Sequence, residues 1–198
     1  MARPSKFDRS EAVKIVMNEI WQNGYEASSV KSLSEKLGIT RSSFYNAFGS
    51  REDLFKEVLE AYSSQLPSLA LTKAVPGTPI KKLLTSTIKL VCEVRASDKL
   101  GRGCLAINSV SQLCNVDDTL GPILQSAVLG NLARFETLLR WGVAQGEIEA
   151  ETDIRALALA LQNLLMGLNI MCKVVRSEDE LWKAAKTTLV SLDLYEEQ

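Results

Sequence analysis

Apolar residues recur at helical spacing from one end of this 198-residue chain to the other, and no run alternates with the period of two that a half-buried strand shows. The pattern predicts an all-α protein of roughly nine helices. Ala12, Val13, Val16, Met17 and Ile20 form a first stripe; Asp8, with Glu11 three residues on, supplies a start and Gly24 a stop, so this helix covers about residues 9 to 23. Ser29 caps a second stripe of Val30, Leu33 and Leu37, which Gly38 ends after about two turns. Thr40 caps a third helix that is equally short. From Ser50, a fourth carries Leu54, Phe55, Val58, Leu59 and Tyr62 until Pro67 kinks or ends it. The stretch KAVPGTP, residues 73–79, reads as a joint.

Beyond the joint, Pro79 opens a helix with Ile80, Leu83, Leu84, Thr87, Ile88, Val91 and Cys92 on one side. A loop over 97–103 follows, then a short helix from about 104 to 113 and a long one from about 118 to 145. Thr152 or Asp153 begins a very apolar helix to about 174. A capping box at 177–180 begins the last helix, which runs to about 193. In the very apolar helix, Arg155, Gln162, Asn169 and Arg176 form the main polar stripe at seven-residue steps. That leaves apolar surface on more sides than one core covers. Either a second surface buries it or the helix is fully enclosed.

The third helix raises the functional question. Phe44 and Phe48, at i and i+4, share an inner face, while Arg41, Ser42, Tyr45 and Asn46 are left outside. So short a helix is marginal alone, because nucleation is unfavourable and few hydrogen bonds follow. Two short helices joined by Gly38, Ile39 and Thr40 make the pattern of a helix-turn-helix, whose second member lies in the DNA major groove. The same spacing also fits an αα corner with a solvated face.

Composition narrows the choice. With 46% hydrophobic residues and ordinary charge density the chain buries a sizeable core as one domain or two. Net charge is -1, yet residues 1–51 hold eight Lys/Arg against five Asp/Glu, a slightly basic head on an acidic remainder. Histidine is absent, which excludes Ser-His-Asp and Cys-His catalysis and His-ligated metal sites. Cys92, Cys104, Cys114 and Cys172 lack metal-type spacing and read as reduced thiols. No secretory pattern opens the chain, and the apolar run 157–172 is shorter than the roughly 20 residues a bilayer crossing needs. A cytoplasmic protein with no membrane partner and no cofactor is expected.

The ordered run from Gly24 to Phe55 resembles the DNA-binding domain of the TetR family of bacterial transcription repressors. It carries Gly24-Tyr25, Ser28-Ser29, Ser34 through Thr40, then Phe44-Tyr45-Asn46-Ala47-Phe48 and Ser50-Arg51-Glu52. The resemblance implies a helix-turn-helix domain at 1–50, a connecting helix at about 51–72 and an effector-binding and dimerisation domain at 73–198. It implies Ser29 and Tyr45 as phosphate contacts, and Thr40, Arg41, Ser42 and Asn46 at or near the groove floor, with Arg41 the candidate for reading a guanine. Lys31 and Arg51 join this set as cations. Arg51 stands where the family often has Lys, and Ala47 where it often has His or Tyr. The implied partners are a near-palindromic double-stranded operator, a second copy bound through the last two helices (about 153–193), and a small-molecule or electrophile effector.

Within the implied effector domain, Ile88, Val91, Cys92, Phe135, Leu139, Asn163 and Met166 are candidates to line a pocket, each equally readable as plain core. Cys104 follows a Gly-rich loop at a predicted helix start with Arg102 nearby, and a helix N-terminus and a cation both favour thiolate. Its RGC followed by an apolar pair and Asn resembles a family subgroup that senses electrophiles through cysteine. The alternative is a small buried hydrophobe. Two other functions stay open: a helical adaptor that binds protein through the helix-turn-helix, and a histidine-free enzyme.

Overall fold

The computed structural model describes residues 8–197, and among them are ten α-helices, one 3-10 turn and no strand. Arg3 and Lys6, two of the basic residues counted above, and the start of the expected 1–50 domain lie outside the described residues. The first four helices are α1 (Arg9–Asn23), α2 (Val30–Leu37), α3 (Arg41–Phe48) and α4 (Arg51–Ser63). A 3-10 turn at Pro67–Leu69 and the short α5 (Ala70–Lys73) lead to α6 (Ile80–Ser97), α7 (Leu105–Leu113), α8 (Leu120–Ala144), α9 (Ile154–Met171) and α10 (Glu178–Ser191).

Side-chain oxygens set most starts. Asp8 accepts from the amides of Ser10 and Glu11, Ser29 from Ser32, Thr40 from Ser43, and Ser50 from Asp53. Such caps contribute about 1 kcal/mol each, which matters most for α2 and α3 with 8 residues apiece. Asp153 and Ser177 do the same for α9 and α10. The short α5 is an addition to the predicted helices, α10 ends at Ser191 rather than about 193, and three other boundaries also differ from the sequence pattern. α4 ends at Ser63, ahead of Pro67, because the ring cannot donate a hydrogen bond and the chain tightens into the 3-10 turn. α8 starts only at Leu120, since Asp117 holds the Thr119 and Leu120 amides (2.9 and 2.7 Å) in a turn before it. α9 stops at Met171, and residues 172–174 form a turn.

Two buried clusters organise the packing. The body cluster joins α6, α8, α9 and α10 around Leu84, Ile88, Phe135, Leu139, Leu161 and Leu189. The head cluster joins α1 to α4 around Val16, Tyr25, Phe44, Phe55 and Val58, and takes in Cys104, Leu105, Leu113, Leu120 and Leu124 from α7 and its flanks. The head therefore rests on α7 and the start of α8. Arg155 and Gln162 do not share an environment. Arg155 is exposed and Gln162 and Asn169 are buried, so the middle of the polar stripe faces inward. Leu159, Ile170, Met171 and Val174 are left on the outside. By length and composition α9 is apolar enough to cross a bilayer, but it packs along α8 and against α10, α7 and α6.

Candidate DNA interface and effector cavity

The turn between α2 and α3 is made by Gly38 at φ 66°, ψ 30°, a left-handed conformation that glycine adopts without a Cβ clash. Its amide and that of Ile39 bond back to the carbonyls at the end of α2, so α3 leaves at a fixed angle. Underneath, Phe44 is fully buried with its ring 5.3 Å from that of Phe48, and the Tyr25 ring packs at a tilt, 4.8 Å from that of Phe55. Arg9 ties the other end: its guanidinium bonds to Glu57 on α4 and to the Ala47 carbonyl on α3, 5.1 Å from the Phe48 ring. A helix too short to be stable alone is thus held from both sides.

The outer face is free. Arg41, Ser42 and Asn46 are exposed, Tyr45 is 53% exposed, and Ser29, Lys31 and Thr40, at the start of α2 and in the turn, are exposed as well. Among the described residues neither Lys31 nor Arg41 has a carboxylate partner, whereas Lys36 is taken by Glu19 at 2.9 Å. Thr40 also meets the hydroxyls of Ser42 and Ser43 at 2.9 Å. Arg51 is placed differently from the outward cation that the resemblance implies. Its guanidinium lies over the Tyr25 ring at 4.0 Å and 3.9 Å from Glu52, to which the Tyr25 hydroxyl donates at 3.1 Å. Burial raises the pKa of that hydroxyl and keeps it a donor.

Behind the head, a cavity of about 460 Å³ opens between the α4–α5 connection, α6, α7, α8 and α9. Val91, Cys104 and Met166 of the sequence-derived set line it. Ile88, Cys92, Phe135 and Leu139 do not: they are fully buried in the body core. Asn163 is exposed on the outside of α9. On α6, Val91 and Arg95, one turn apart, reach the cavity, whereas Ile88, two turns before Arg95 on nearly the same side, and Cys92 pack inside the body core, which Val91 also borders.

The polar residues of the cavity are the ones sequence reasoning missed. Arg95, only 4% exposed, donates from Nε to Asn169 Oδ1 at 2.6 Å and from an Nη to the Tyr62 hydroxyl at 3.1 Å. The Leu105 amide also donates to Tyr62, at 3.3 Å. Asn131 donates to Gln162 at 2.6 Å, and Arg134 to the Thr72 carbonyl at 3.0 Å. Burial, helped by the neighbouring Cys104, raises the Tyr62 hydroxyl pKa, so it stays protonated. The available signal was the seven-residue step from Gln162 to Asn169, one turn pair along a single face of α9.

Cys104 is buried at the N-cap of α7 and lines this cavity. Arg102, expected beside it, instead lies 3.9 Å over the Trp21 ring and bonds to Asp98 (3.2 Å) and Asn18 (3.0 Å). The cations that share the cavity with Cys104 are Arg95 and Arg134. Burial pushes the Asp98 carboxyl up, but hydrogen bonds from the Arg102 backbone and guanidinium outweigh it and hold the group below its ordinary value. Gly103, at φ 72°, lies so close to α9 that a Cβ would come within 2.4 Å of the Asn169 carbonyl, while its own carbonyl accepts from Trp21 at 3.2 Å. The loop is a wedge between α1 and α9. Burial pushes the Cys92 thiol up to about 12 and raises that of Cys172 as well, so both remain protonated core thiols.

Residues 17–58 match the family model for bacterial regulatory proteins of the tetR family, and residues 81–188 match that for the tetracyclin repressor-like C-terminal domain. The chain is 27% identical over 188 residues to the HTH-type transcriptional repressor ComR of Escherichia coli K12, covering 94% of this chain and 90% of that one. It is 27% identical to the HTH-type regulator YezE of Bacillus subtilis 168, covering 98% and 100%. Among solved structures, a cysteine-substituted form of the regulator CifR in complex with 26-bp double-strand operator DNA superposes with a TM-score of 0.83 at 27% identity, over 96% of this chain and 99% of that one.

Proposed function

The chain belongs to the TetR family and is a DNA-binding transcriptional regulator, and from that premise we propose that it is a cytoplasmic, homodimeric repressor released from its operator when a small molecule enters the cavity behind the head. The observation that carries this reading is the outer face of α3: Arg41, Ser42, Tyr45 and Asn46 are exposed on a helix whose Phe44 and Phe48 are buried beneath it. Arg41 reads a base edge, Thr40, Ser42 and Asn46 lie at the groove floor, and Ser29, Lys31 and Tyr45 take phosphates. Arg51 acts first by holding Tyr25 and only then as a phosphate-side cation. Residues 1–50 form the DNA-binding unit and 73–198 the effector and dimer unit, with 51–72 connecting them.

The exposed Leu159, Ile170 and Met171 of α9 and Val190 of α10 support pairing of two copies through these helices. Such a dimer sets two recognition helices about 34 to 36 Å apart, one turn of DNA. Release needs a ligand that favours a head position unable to grip both half-sites. The Tyr62–Arg95–Asn169 tie and the Gly103 wedge, which join α4 and α1 to α9, support this route. Cys104, at the start of α7 and in the cavity wall, supports electrophile sensing by the same route. Selection of bound fragments from random duplex DNA, repeated with an alkylating agent, tests both ideas. Enrichment of a near-palindrome is expected, and its loss on alkylation is expected to disappear in Cys104→Ser. No enrichment at low salt sinks the repressor; alkylation that still releases Cys104→Ser sinks the sensor.

A further inference from the structure

The cavity wall carries charge of one sign. Its charged residues are Arg95 and Arg134, with no aspartate or glutamate, although acids outnumber bases in the whole chain. Neither arginine has a carboxylate within ion-pair distance among the described residues; their acceptors are Asn169, Tyr62 and the Thr72 carbonyl, all neutral. For Arg95 this is unfavourable, because at 4% exposure it has lost most of its water and a guanidinium cannot neutralise itself by giving up a proton. Asn169 and Tyr62 engage two of its N–H groups, and the others have no acceptor among the described residues.

A second feature points to the same spot. α7 begins in this wall: Cys104, Ala106 and Ile107 line the cavity, and the helix has no side-chain cap. Of its first-turn amides, Leu105 is bonded to Tyr62, while those of Ala106 and Ile107 have no acceptor among the described residues. An uncapped helix start and a buried guanidinium on one side of a cavity are both complemented by an anion. The rest of the wall is mostly aliphatic, with Ser63, Ser68, Thr72, Asn131 and Gln162 as further uncharged polar residues.

We propose that the cavity is a site for a small organic carboxylate with an apolar body. The carboxylate sits between the Arg95 guanidinium and the first turn of α7, and the apolar part lies among Val91, Val110, Leu124, Leu165 and Met166. A planar carboxylate matches a guanidinium fork with two parallel bonds, whereas a phosphate needs more donors than one buried arginine and two amides supply. The same anion competes with the Tyr62 hydroxyl for Arg95 and so loosens the tie to α4. This rests on reading the cavity as the effector site.

Calorimetric titration of the full-length, DNA-free protein with octanoate, phenylpropanoate and cyclohexanecarboxylate, each beside its primary amide, tests the site. At least one carboxylate is expected to bind about tenfold or more tighter than its amide. Arg95→Met is expected to remove that preference and Arg134→Met to keep it, with thermal unfolding of both variants as the folding control. Carboxylates that bind no tighter than their amides overturn the proposal, whether or not the variants fold. So do a preference that survives Arg95→Met or vanishes in Arg134→Met, and tighter binding of octyl phosphate. Operator retention by the ligand-free protein is measured separately: retention without a carboxylate preference sinks only the anion site, and a preference without retention sinks only the DNA-binding reading.

Discussion

On α3, Arg41, Ser42, Tyr45 and Asn46 stand in solvent above buried Phe44 and Phe48; on α9, Gln162 and Asn169 are buried while Leu159, Ile170 and Met171 stand in solvent. Both helices are amphipathic, but α9 buries two polar residues beside Ala158, Leu161, Leu165 and Leu168, whereas α3 buries its rings. The α3 side chains sit on a rigid aromatic floor and keep their hydrogen-bonding capacity for something outside. Those of α9 meet partners from other helices, Asn131 for Gln162 and Arg95 for Asn169, as buried polar groups must. Polar residues on a helix therefore do not by themselves say where its functional face lies. The supporting layer does: aromatic packing beneath α3, paired polar contacts around the cavity.

The most damaging way to break the contrast is to remove the floor. Phe44→Ala is expected to destabilise the protein by about 3 to 5 kcal/mol through lost burial and an unfilled cavity, seen as a lower denaturation midpoint with loss of DNA binding. A loss under about 1 kcal/mol would show that α3 is not held by its aromatic face. Removing the outward group instead sharpens the contrast. Arg41→Ala is expected to leave stability unchanged and to weaken operator binding by about 1 to 3 kcal/mol while relaxing one base preference. Equal losses on every operator variant would reduce Arg41 to a phosphate contact.

The buried side breaks more gently. Tyr62→Phe keeps the ring against Trp21 (centroids 5.1 Å apart) but deletes the acceptor that Arg95 and the Leu105 amide share. A stability loss of about 1 to 2 kcal/mol is expected, with operator binding of the ligand-free protein altered although no DNA-facing residue has changed. Unaltered binding would remove the tie from the route between cavity and head. The smallest effect concerns pH. The Asp98 carboxyl titrates below its ordinary 3.8 in the folded protein, so its contribution is complete above that value and fades as pH falls through the folded value. Asp98→Asn is expected to flatten this acid limb by under about 1 kcal/mol, measured by unfolding across acidic pH. An acid limb steeper than that of the unsubstituted protein would contradict the assigned direction.

Much of the candidate DNA interface was legible because its signals are local. Ser29, Thr40 and Ser50 each cap the helix that follows within three residues, Gly38 makes the turn, and the four-residue step from Phe44 to Phe48 puts both rings on one side. Arg51 was less legible, since nothing near it in the chain announces the Tyr25 ring on which it lies. The cavity was legible only in Val91, Cys104 and Met166. Ile88, Cys92, Phe135 and Leu139 have the same hydropathy but face the body core, and hydropathy does not say which of two interiors a helix side meets.

The chain's own pattern determined nine of the ten helical segments in outline, all but the short α5, with most of their caps and the polar face that α3 presents, because each depends on residues within a turn or two of one another. Tertiary structure alone decided that the middle of the polar stripe of α9 turns inward, that Arg102 goes to Trp21 and leaves Arg95 and Arg134 as the cations of the cavity that Cys104 lines, and that Tyr62 ties the head to the body. Those outcomes join residues far apart in sequence. A buried charge or amide takes whichever partner the packed helices bring within hydrogen-bond reach, and that choice is made only once the helices have closed around it.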